Sequence, residues 1–590
     1  MEPKQPAEIL NFPRGETITP EKIDRSVQEK VLALVDEKHQ NSTVVHEASG
    51  LTADEVFDAL SDSEIGTSRL FTKLNKNRFC LNTSLNRWYV YKGSAWRLDQ
   101  RAEHIDACRD LYQLILKVKQ DHGSELTEKA EKFISGQLLK MTGVNEMQNI
   151  LKQAASGKNG LGVVGEEFDK SLQFIGSPNG IIDLETGALL PDNPELCITK
   201  QVGAEYDSSA SEPKLFKSFL EQIFAFPLEK EKEEERIRRE GIKKEYVMSD
   251  EEFEGLCAEQ RGLLIAYIQR LFGYTLMGSA REHILICFLG NGRNGKGVLL
   301  RTVISALGDY AGEIQPGVLL NSNKSPGAPS PEIGDFKGMR LAVASETNQG
   351  QFFDTSSIKR LTGGDTLVSR SVYGKEFIRF KPSHTIVLQT NFRPNAPAED
   401  SAFWARMHVV PFLRCFVENP DAQNRYHAKI DKDLENKLLE ELPGILKWIV
   451  EGARLYMEHG LKAPACVKNA VEEYRSSRDQ ISDFMYECCE QGDRFKIRAT
   501  NLVKAFNGWR KDQGQSRPMS AAVVTERLER KGIIKGKSNI TVYKGLKLND
   551  EGEEYLKPTN ERKTGFVFEI LLRQALWLHL RYPIHLILTR

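Results

Sequence analysis

Ile284-Leu285-Ile286-Cys287-Phe288-Leu289-Gly290-Asn291-Gly292-Arg293-Asn294-Gly295-Lys296-Gly297-Val298-Leu299-Leu300-Arg301-Thr302-Val303-Ile304 is the stretch from which this chain is best read. Ile284 to Leu289 is an unbroken apolar run, as expected of a strand buried on both faces of a parallel sheet. A glycine-rich loop follows at once, and Val298 to Ile304 continues at helical spacing. Strand, loop and helix in that order give a Gly-x-x-x-x-Gly-Lys match a mechanism. The glycines let the backbone N–H groups of Gly290, Asn291, Gly292, Arg293, Asn294, Gly295, Lys296 and Gly297 turn inward around phosphates. The helix N-terminus adds partial positive charge, and Lys296 reaches the β- and γ-phosphates. The ligand this predicts is ATP with Mg²⁺. Gly297 departs from the pattern, because a Ser or Thr there normally ligates the metal. Mg²⁺ would then depend on phosphate oxygens, water and a distant carboxylate, which it tolerates because it usually keeps several waters.

Two further strand ends offer matching chemistry. Arg340-Leu341-Ala342-Val343-Ala344-Ser345 is apolar and runs into Glu346. At the carboxyl edge of a parallel sheet, that acid is placed to polarise a water and help hold the metal. Thr385-Ile386-Val387-Leu388-Gln389-Thr390 ends in Asn391, whose amide can hydrogen-bond a γ-phosphate or the attacking water.

Composition sets the frame. The 590 residues are too many for one core; 40% hydrophobic and 28% charged content suits a globular chain. A formal net charge of −1 advertises no polyanion partner, although an acidic region can mask a basic patch. Nine scattered cysteines include no Cys-x-x-Cys pair, so reduced thiols are expected rather than a zinc site or disulfide framework. The N-terminus lacks a signal-peptide core. The apolar stretch from Phe566 to Leu588 is broken by Glu569, Arg573, Arg581 and Pro583. The expectation is a cytoplasmic protein without a membrane partner.

Outward from the loop, Thr52-Ala53-Asp54-Glu55 reads as a helix start, and Arg87 to Asp99 as a hairpin around a Lys-Gly turn. Residues 101–155 read as helical, and Asn179 to Gly187 as strand, turn and strand. The charge run over 229–245 reads as a solvated helix or mobile insertion. Leu263, Leu264, Tyr267, Ile268, Leu271 and Phe272 mark a core helix over 258–274. Beyond Ile445, Leu446, Trp448 and Ile449 the chain turns helical. Ala499 to Trp509 and Ser520 to Lys531 read as helices, and Ile533 to Tyr543 as a basic hairpin. Helix, helix and hairpin suggest a winged helix. Arg527, Arg530, Lys531, Lys535 and Lys537 would be its DNA footprint, with use in protein contacts as the alternative.

This order of motifs resembles superfamily 3 helicases, specifically the phage and plasmid primase-helicase group and its poxvirus relatives, over roughly residues 66–550. The resemblance adds Ile358 to Asp365, Arg370 and Asp400 to Arg406 to the strand ends above. It implies an AAA+ ring, a hexamer threading one DNA strand. In it Lys296 is the loop lysine, Glu346 the acid, Asn391 the polar sensor, and Arg406 a finger reaching the neighbouring subunit's ATP. It also implies a hairpin around Val372 to Phe380 projecting into the channel. There Lys359, Arg370, Lys375 and Arg379 would contact phosphates, and Tyr373 or Phe377 would stack on a base.

The fold expected is therefore multidomain α/β: a polar segment over 1–65, an α+β domain over 66–257, an AAA+ P-loop ATPase core over 258–440, a helical and winged-helix part over 441–550, and an unassigned tail over 551–590. The function expected is an ATP-dependent DNA helicase in the replication of a phage, plasmid or other mobile element. It would act on single-stranded and forked DNA, with a separate primase or other replication proteins as partners. Residues 1–65 are too short for a polymerising domain, so primer synthesis is not expected of this chain. An origin-binding initiator that uses ATP for assembly, and a full primase-helicase, are the alternatives.

Overall fold

The computed structural model describes residues 44–46, 50–239, 247–320, 331–345, 351–370, 377–398, 400–476, 480–512, 518–537 and 541–557. The first helical hairpin, α1 (Ala53–Ser61) and α2 (Ser63–Asn75), opens on the expected cap. The Thr52 N–H donates to Glu55 Oε2 at 3.0 Å, and the Glu55 N–H returns to Thr52 Oγ1 at 3.3 Å. A meander follows: β1 (Phe79–Asn82), β2 (Arg87–Lys92) and β3 (Ala95–Leu98), with β2 and β3 antiparallel around the Lys-Gly turn. The helical stretch resolves into α3 (Glu103–His122), α4 (Glu128–Met141) and α5 (Val144–Ala154). Phe71, Phe79, Ile115, Ile134 and Ile150 join these elements in one hydrophobic cluster running from Leu51 to Leu161.

A small sheet, β4 (Phe174–Ser177), β5 (Gly180–Asp183) and β6 (Leu189–Leu190), folds around Asn179-Gly180 as predicted. Its Ile175 and Ile182 are fully buried in the central cluster, so this sheet packs with the elements that follow it. Those are α6 (Lys214–Ile223), α7 (Lys230–Arg239) and α8 (Asp250–Met277). The charged run is not simply solvated. Lys232 of α7 bridges to Glu473 at 2.9 Å, and Glu233 is buried. Helix α8 starts well before the expected residue 258, at a Ser249/Glu252 capping box, and therefore crosses the 257/258 division.

The central sheet is built from β7 (Leu285–Leu289), β8 (Ala311–Ile314), β9 (Leu341–Ser345), β10 (Thr385–Thr390) and β11 (Met407–Pro411), all parallel, in the order β8-β9-β10-β7-β11. Leu285, Ile286, Cys287 and Phe288 are wholly buried, because helices cover both faces. One cover is α9 (Lys296–Leu307). On one side of the sheet lie α10 (Thr355–Thr362), an antiparallel pair (Leu367–Arg370 with Phe377–Phe380) and the short α11 (Ser401–Trp404). The chain continues through α12 (Leu434–Leu439), α13 (Leu442–His459) and α14 (Ala465–Ser476). Helix α13 packs against α8 so closely that a Cβ on Gly452 would lie 2.2 Å from the Gln269 carbonyl oxygen. Ile445, Trp448 and Ile449 belong to the central cluster and Tyr474 to its neighbour. The central unit thus runs on to α14, past the expected boundary at 440.

The last unit has its own core, from Ile481 to Tyr555. It comprises α15 (Gln480–Cys488), β12 (Cys489–Arg498), α16 (Ala499–Asp512), α17 (Ala521–Arg530), β13 (Ile534–Lys537), β14 (Thr541–Leu548) and α18 (Asp550–Glu554). The antiparallel sheet has the order β12-β14-β13. Strand β12 was not anticipated. Tyr555 is buried in this core, so the unit passes the expected limit of 550. Residues 1–43 and 558–590 lie outside the described residues. All nine cysteines are free, most of them buried. Among the described residues no helix is long and apolar enough to cross a membrane.

Candidate nucleotide-binding site

The glycine-rich loop leaves β7 at the carboxyl edge of the sheet and returns as α9, whose first residue is Lys296. Two glycines are required by the space available. A Cβ on Gly290 would lie 2.3 Å from the Phe412 carbonyl oxygen. Gly295 has φ +84°, and a Cβ there would meet Ile223 Cγ2 at 2.5 Å. The loop is fastened from the β11 side. The Phe412 N–H donates to Leu289 O at 2.8 Å, the Phe416 N–H to Arg293 O at 2.6 Å, and Asn294 Nδ2 to Phe412 O at 3.3 Å.

Lys296 is 3% exposed. Its Nζ donates to Gly290 O at 2.8 Å, Asn294 Oδ1 at 3.0 Å and Asn391 Oδ1 at 3.0 Å. All three acceptors are neutral, and no carboxylate of a described residue pairs with the ammonium. Burial without a counter-charge pulls its pKa down to about 8. A buried cation held by neutral oxygens is incompletely compensated, and an anionic ligand would complete it. The residues present therefore fit a phosphate group.

Asn391 reaches Lys296 because its strand is the immediate neighbour of the loop's strand, with Leu289 opposite Thr390. Ser345 pairs with Gln389, which brings the end of β9 to the same edge. Glu346, expected next, lies outside the described residues. At Gly297 a Cβ would lie 2.9 Å from Arg301 Nη1 and 3.8 Å from Gln389 Nε2. Arg301 is held by Glu435 of α12 through Nε–Oε1 at 2.7 Å and Nη2–Oε2 at 2.8 Å. Donors therefore surround the place of the missing hydroxyl. Among the described residues no group of three or more His, Cys, Asp or Glu could hold a metal. Asn294 as a lysine ligand and Arg301 over Gly297 were not anticipated. The i, i+4 spacing of Gly297 and Arg301 was the available signal.

Arg406 stands elsewhere. It precedes β11, and its carbonyl accepts from the Leu285 N–H at 2.7 Å, at the amino end of β7. The loop lies at the other end of that strand, about 15 Å away for a five-residue strand. Arg406 Nη1 donates to Ala402 O at 2.6 Å, while its buried Nε has no partner among the described residues. Arg406 therefore cannot serve the loop of its own chain.

The expected DNA contacts divide. Lys359 is not a free cation, because its Nζ lies 2.7 Å from Asp400 Oδ2. Asp400 also caps α11, accepting from the Phe403 N–H at 3.1 Å. The expected hairpin has its stem, Leu367–Arg370 paired with Phe377–Phe380. Tyr373 and Lys375 at its tip lie outside the described residues, as do the side chains of Arg370 and Phe377. In the last unit Lys535 is exposed and Arg527 is already engaged within the chain. The side chains of Arg530 and Lys537 are outside the described set.

Chemically, loop, lysine and asparagine form a site that can receive a phosphorylated ligand at the carboxyl edge of a parallel sheet. Sequence comparison gives the lineage. Residues 68–225 match the family described as D5 N terminal like. The putative helicase L207/L206 of Acanthamoeba polyphaga mimivirus is 24% identical over 466 residues, covering 73% of this chain and 44% of that protein. The putative helicase 184R of Invertebrate iridescent virus 6 is 25% identical, covering 60% and 35%. The putative primase C962R of African swine fever virus (strain Badajoz 1971 Vero-adapted) is 26% identical, covering 39% and 25%. The chain thus spans less than half the length of each of these relatives. The solved apo structure of the NrS-1 C terminal region (305-718) covers 82% of this chain and 99% of that chain, at 11% identity and a TM-score of 0.39. These likenesses to viral putative helicases and a putative primase support a relationship to the phage and viral primase-helicase family.

Proposed function

We propose that this chain is the motor part of an ATP-dependent DNA helicase acting in the replication of a virus, phage, plasmid or similar element. The observation that carries the reading is Lys296, buried at the start of α9 and held by Asn391 from the adjacent strand end. The five-stranded parallel sheet with the loop at its carboxyl edge supports an AAA+ P-loop core, and the names of the viral relatives support a helicase.

In this reading Lys296 binds the β- and γ-phosphates of ATP and Asn391 orients the attacking water. Glu346 polarises that water and shares in holding Mg²⁺, which supplies charge neutralisation when bound. Arg406, on the far edge, acts on the nucleotide of the next subunit in a ring, a hexamer by resemblance. The hairpin beyond α10 contacts single-stranded or forked DNA through Arg370, Tyr373 and Lys375. The last unit acts as a winged helix with Arg527, Arg530, Lys535 and Lys537 toward DNA.

The test is ATPase activity with and without single-stranded DNA, together with strand displacement. Lys296→Ala is expected to lose both activities; a Lys296→Ala protein that unwinds as wild type does would overturn the reading. A primase-helicase is the second reading, favoured by the name of the African swine fever virus relative. Ribonucleotide incorporation on a single-stranded template would establish it.

A further inference from the structure

The C-terminal sheet has one face packed on its helices and one turned to solvent. In the antiparallel register Ile497, Tyr543 and Lys535 stand in one row, with Tyr543 wholly buried in the core. Residues directly opposite share a face, so the neighbouring rows point the other way. Those rows are Lys496, Lys544 and Ile534, then Arg498, Val542 and Gly536. Lys496, Arg498 and Lys544 are exposed, and Ile534 is 66% exposed.

Lys496 and Lys544 are directly opposed across β12 and β14. Like charges in that position are destabilising unless something compensates them. None of Lys496, Arg498 and Lys544 makes an ion pair with a described residue. By contrast Lys547, further along β14, is paired with Glu490 at 2.8 Å. Lys544 also lies across Gly536, where a Cβ would meet its Cε at 3.0 Å. The result is a shallow floor of Val542 and Gly536 with cations from different strands on either side of it. Alternate residues on one strand lie about 7 Å apart, a spacing that suits successive charges on a nucleic acid backbone. The chain as a whole has a net charge of −1, so this face is a local concentration of positive charge.

We propose that the solvent face of the β12-β14-β13 sheet, through Lys496, Arg498 and Lys544, binds the sugar-phosphate backbone of duplex DNA. Duplex is favoured over single strand because neither row offers an aromatic ring for a base to stack on. The surface is distinct from α17 and the β13-β14 tip, and it is independent of the nucleotide site.

The experiment is fluorescence anisotropy of a blunt 30-base-pair duplex and a matching single strand. Full-length protein is used without nucleotide, over a series of salt concentrations. The variant Lys496→Ala/Arg498→Ala/Lys544→Ala is expected to lose duplex affinity about tenfold or more. Its dependence of log Kd on log salt is expected to flatten by about 2–3, nearly one per lost phosphate contact. Its melting temperature should not fall, because a repulsive pair has been removed. Lys496→Arg/Lys544→Arg keeps the charge and is expected to keep the affinity. Should the triple variant misfold, Arg498→Gln alone must still flatten the salt slope by about one. Unchanged duplex affinity and slope, or a loss confined to the single strand, would overturn the proposal. Since no ATP is present, failure of the helicase reading would leave this result untouched.

Discussion

Lys296 titrates where it can be measured. Its pKa in the free protein is about 8, because the ammonium is buried and all its partners are neutral. Phosphates bound against it favour the charged form and restore the pKa toward or above the ordinary lysine value of about 10.4. The sign follows. In the proposed reading nucleotide binds the ammonium form, so affinity is expected to be full below pH 8 and to fall as pH rises through that value. At pH 9 roughly one free molecule in ten still carries the charge, so Kd rises about tenfold between pH 7 and pH 9, or ~1.4 kcal/mol. Nucleotide phosphates, with a second pKa near 6, contribute little to the change over this range. Isothermal titration calorimetry with ADP and no Mg²⁺, in buffers of different ionisation enthalpy, reads both effects. Proton uptake near one half per nucleotide is expected at pH 8, falling toward zero at pH 6.5. Lys296→Arg, which does not titrate here, should show a flat profile. Affinity unchanged between pH 7 and pH 9.5, without proton uptake at pH 8, would refute the reasoning.

Other consequences are as direct. Gly297→Ser supplies the missing hydroxyl at the expense of a small shift of Arg301 Nη1, 2.9 Å from the new Cβ and not one of the two nitrogens that bind Glu435. The half-saturating Mg²⁺ concentration for ATPase should fall about fivefold, the effect of one hydrogen-bond-sized gain of ~1 kcal/mol. Asn391→Ala removes one of three Lys296 partners and the proposed water contact. Single-turnover ATP hydrolysis should slow by about 10²-fold while ADP affinity changes by about threefold or less. Gly452→Ala drives a methyl into the Gln269 carbonyl at 2.2 Å and should destabilise the central unit by about 3 kcal/mol, read as an earlier denaturant midpoint.

What the sequence disclosed follows from what kind of contact each feature needs. The strands Leu285–Leu289, Leu341–Ser345 and Thr385–Thr390 were legible because burial on both faces writes a continuous apolar run. Asn391 came with its strand, since a parallel sheet delivers successive strand ends to one edge, while Glu346 lies outside the described residues. Strand β12 was missed although Phe495 and Ile497 alternate with Arg494, Lys496 and Arg498; its irregular pairing between Gln491 and Lys496 breaks the period, and the charges masked the rest. The limits of the central unit were misplaced because α13 and α14 are fixed by packing on α8 and the sheet, contacts far apart in the chain.

Lys359 shows the same limit within a functional segment. As one basic residue in a basic stretch it reads as a phosphate contact, and only the fold brings Asp400, 41 positions later, against it. That carboxylate has two tasks. It neutralises Lys359 on α10, at the root of the hairpin, and it caps α11, which leads directly into Arg406. The Lys359 pair holds the Asp400 carboxyl below the usual range, with the Phe403 N–H adding to the effect despite partial burial. One side chain therefore ties the segment expected to meet DNA to the arginine expected to meet the next subunit's nucleotide. The ion pair joins α10 to the helix that runs into Arg406, a link that neither a lone lysine nor a lone arginine in the sequence could reveal.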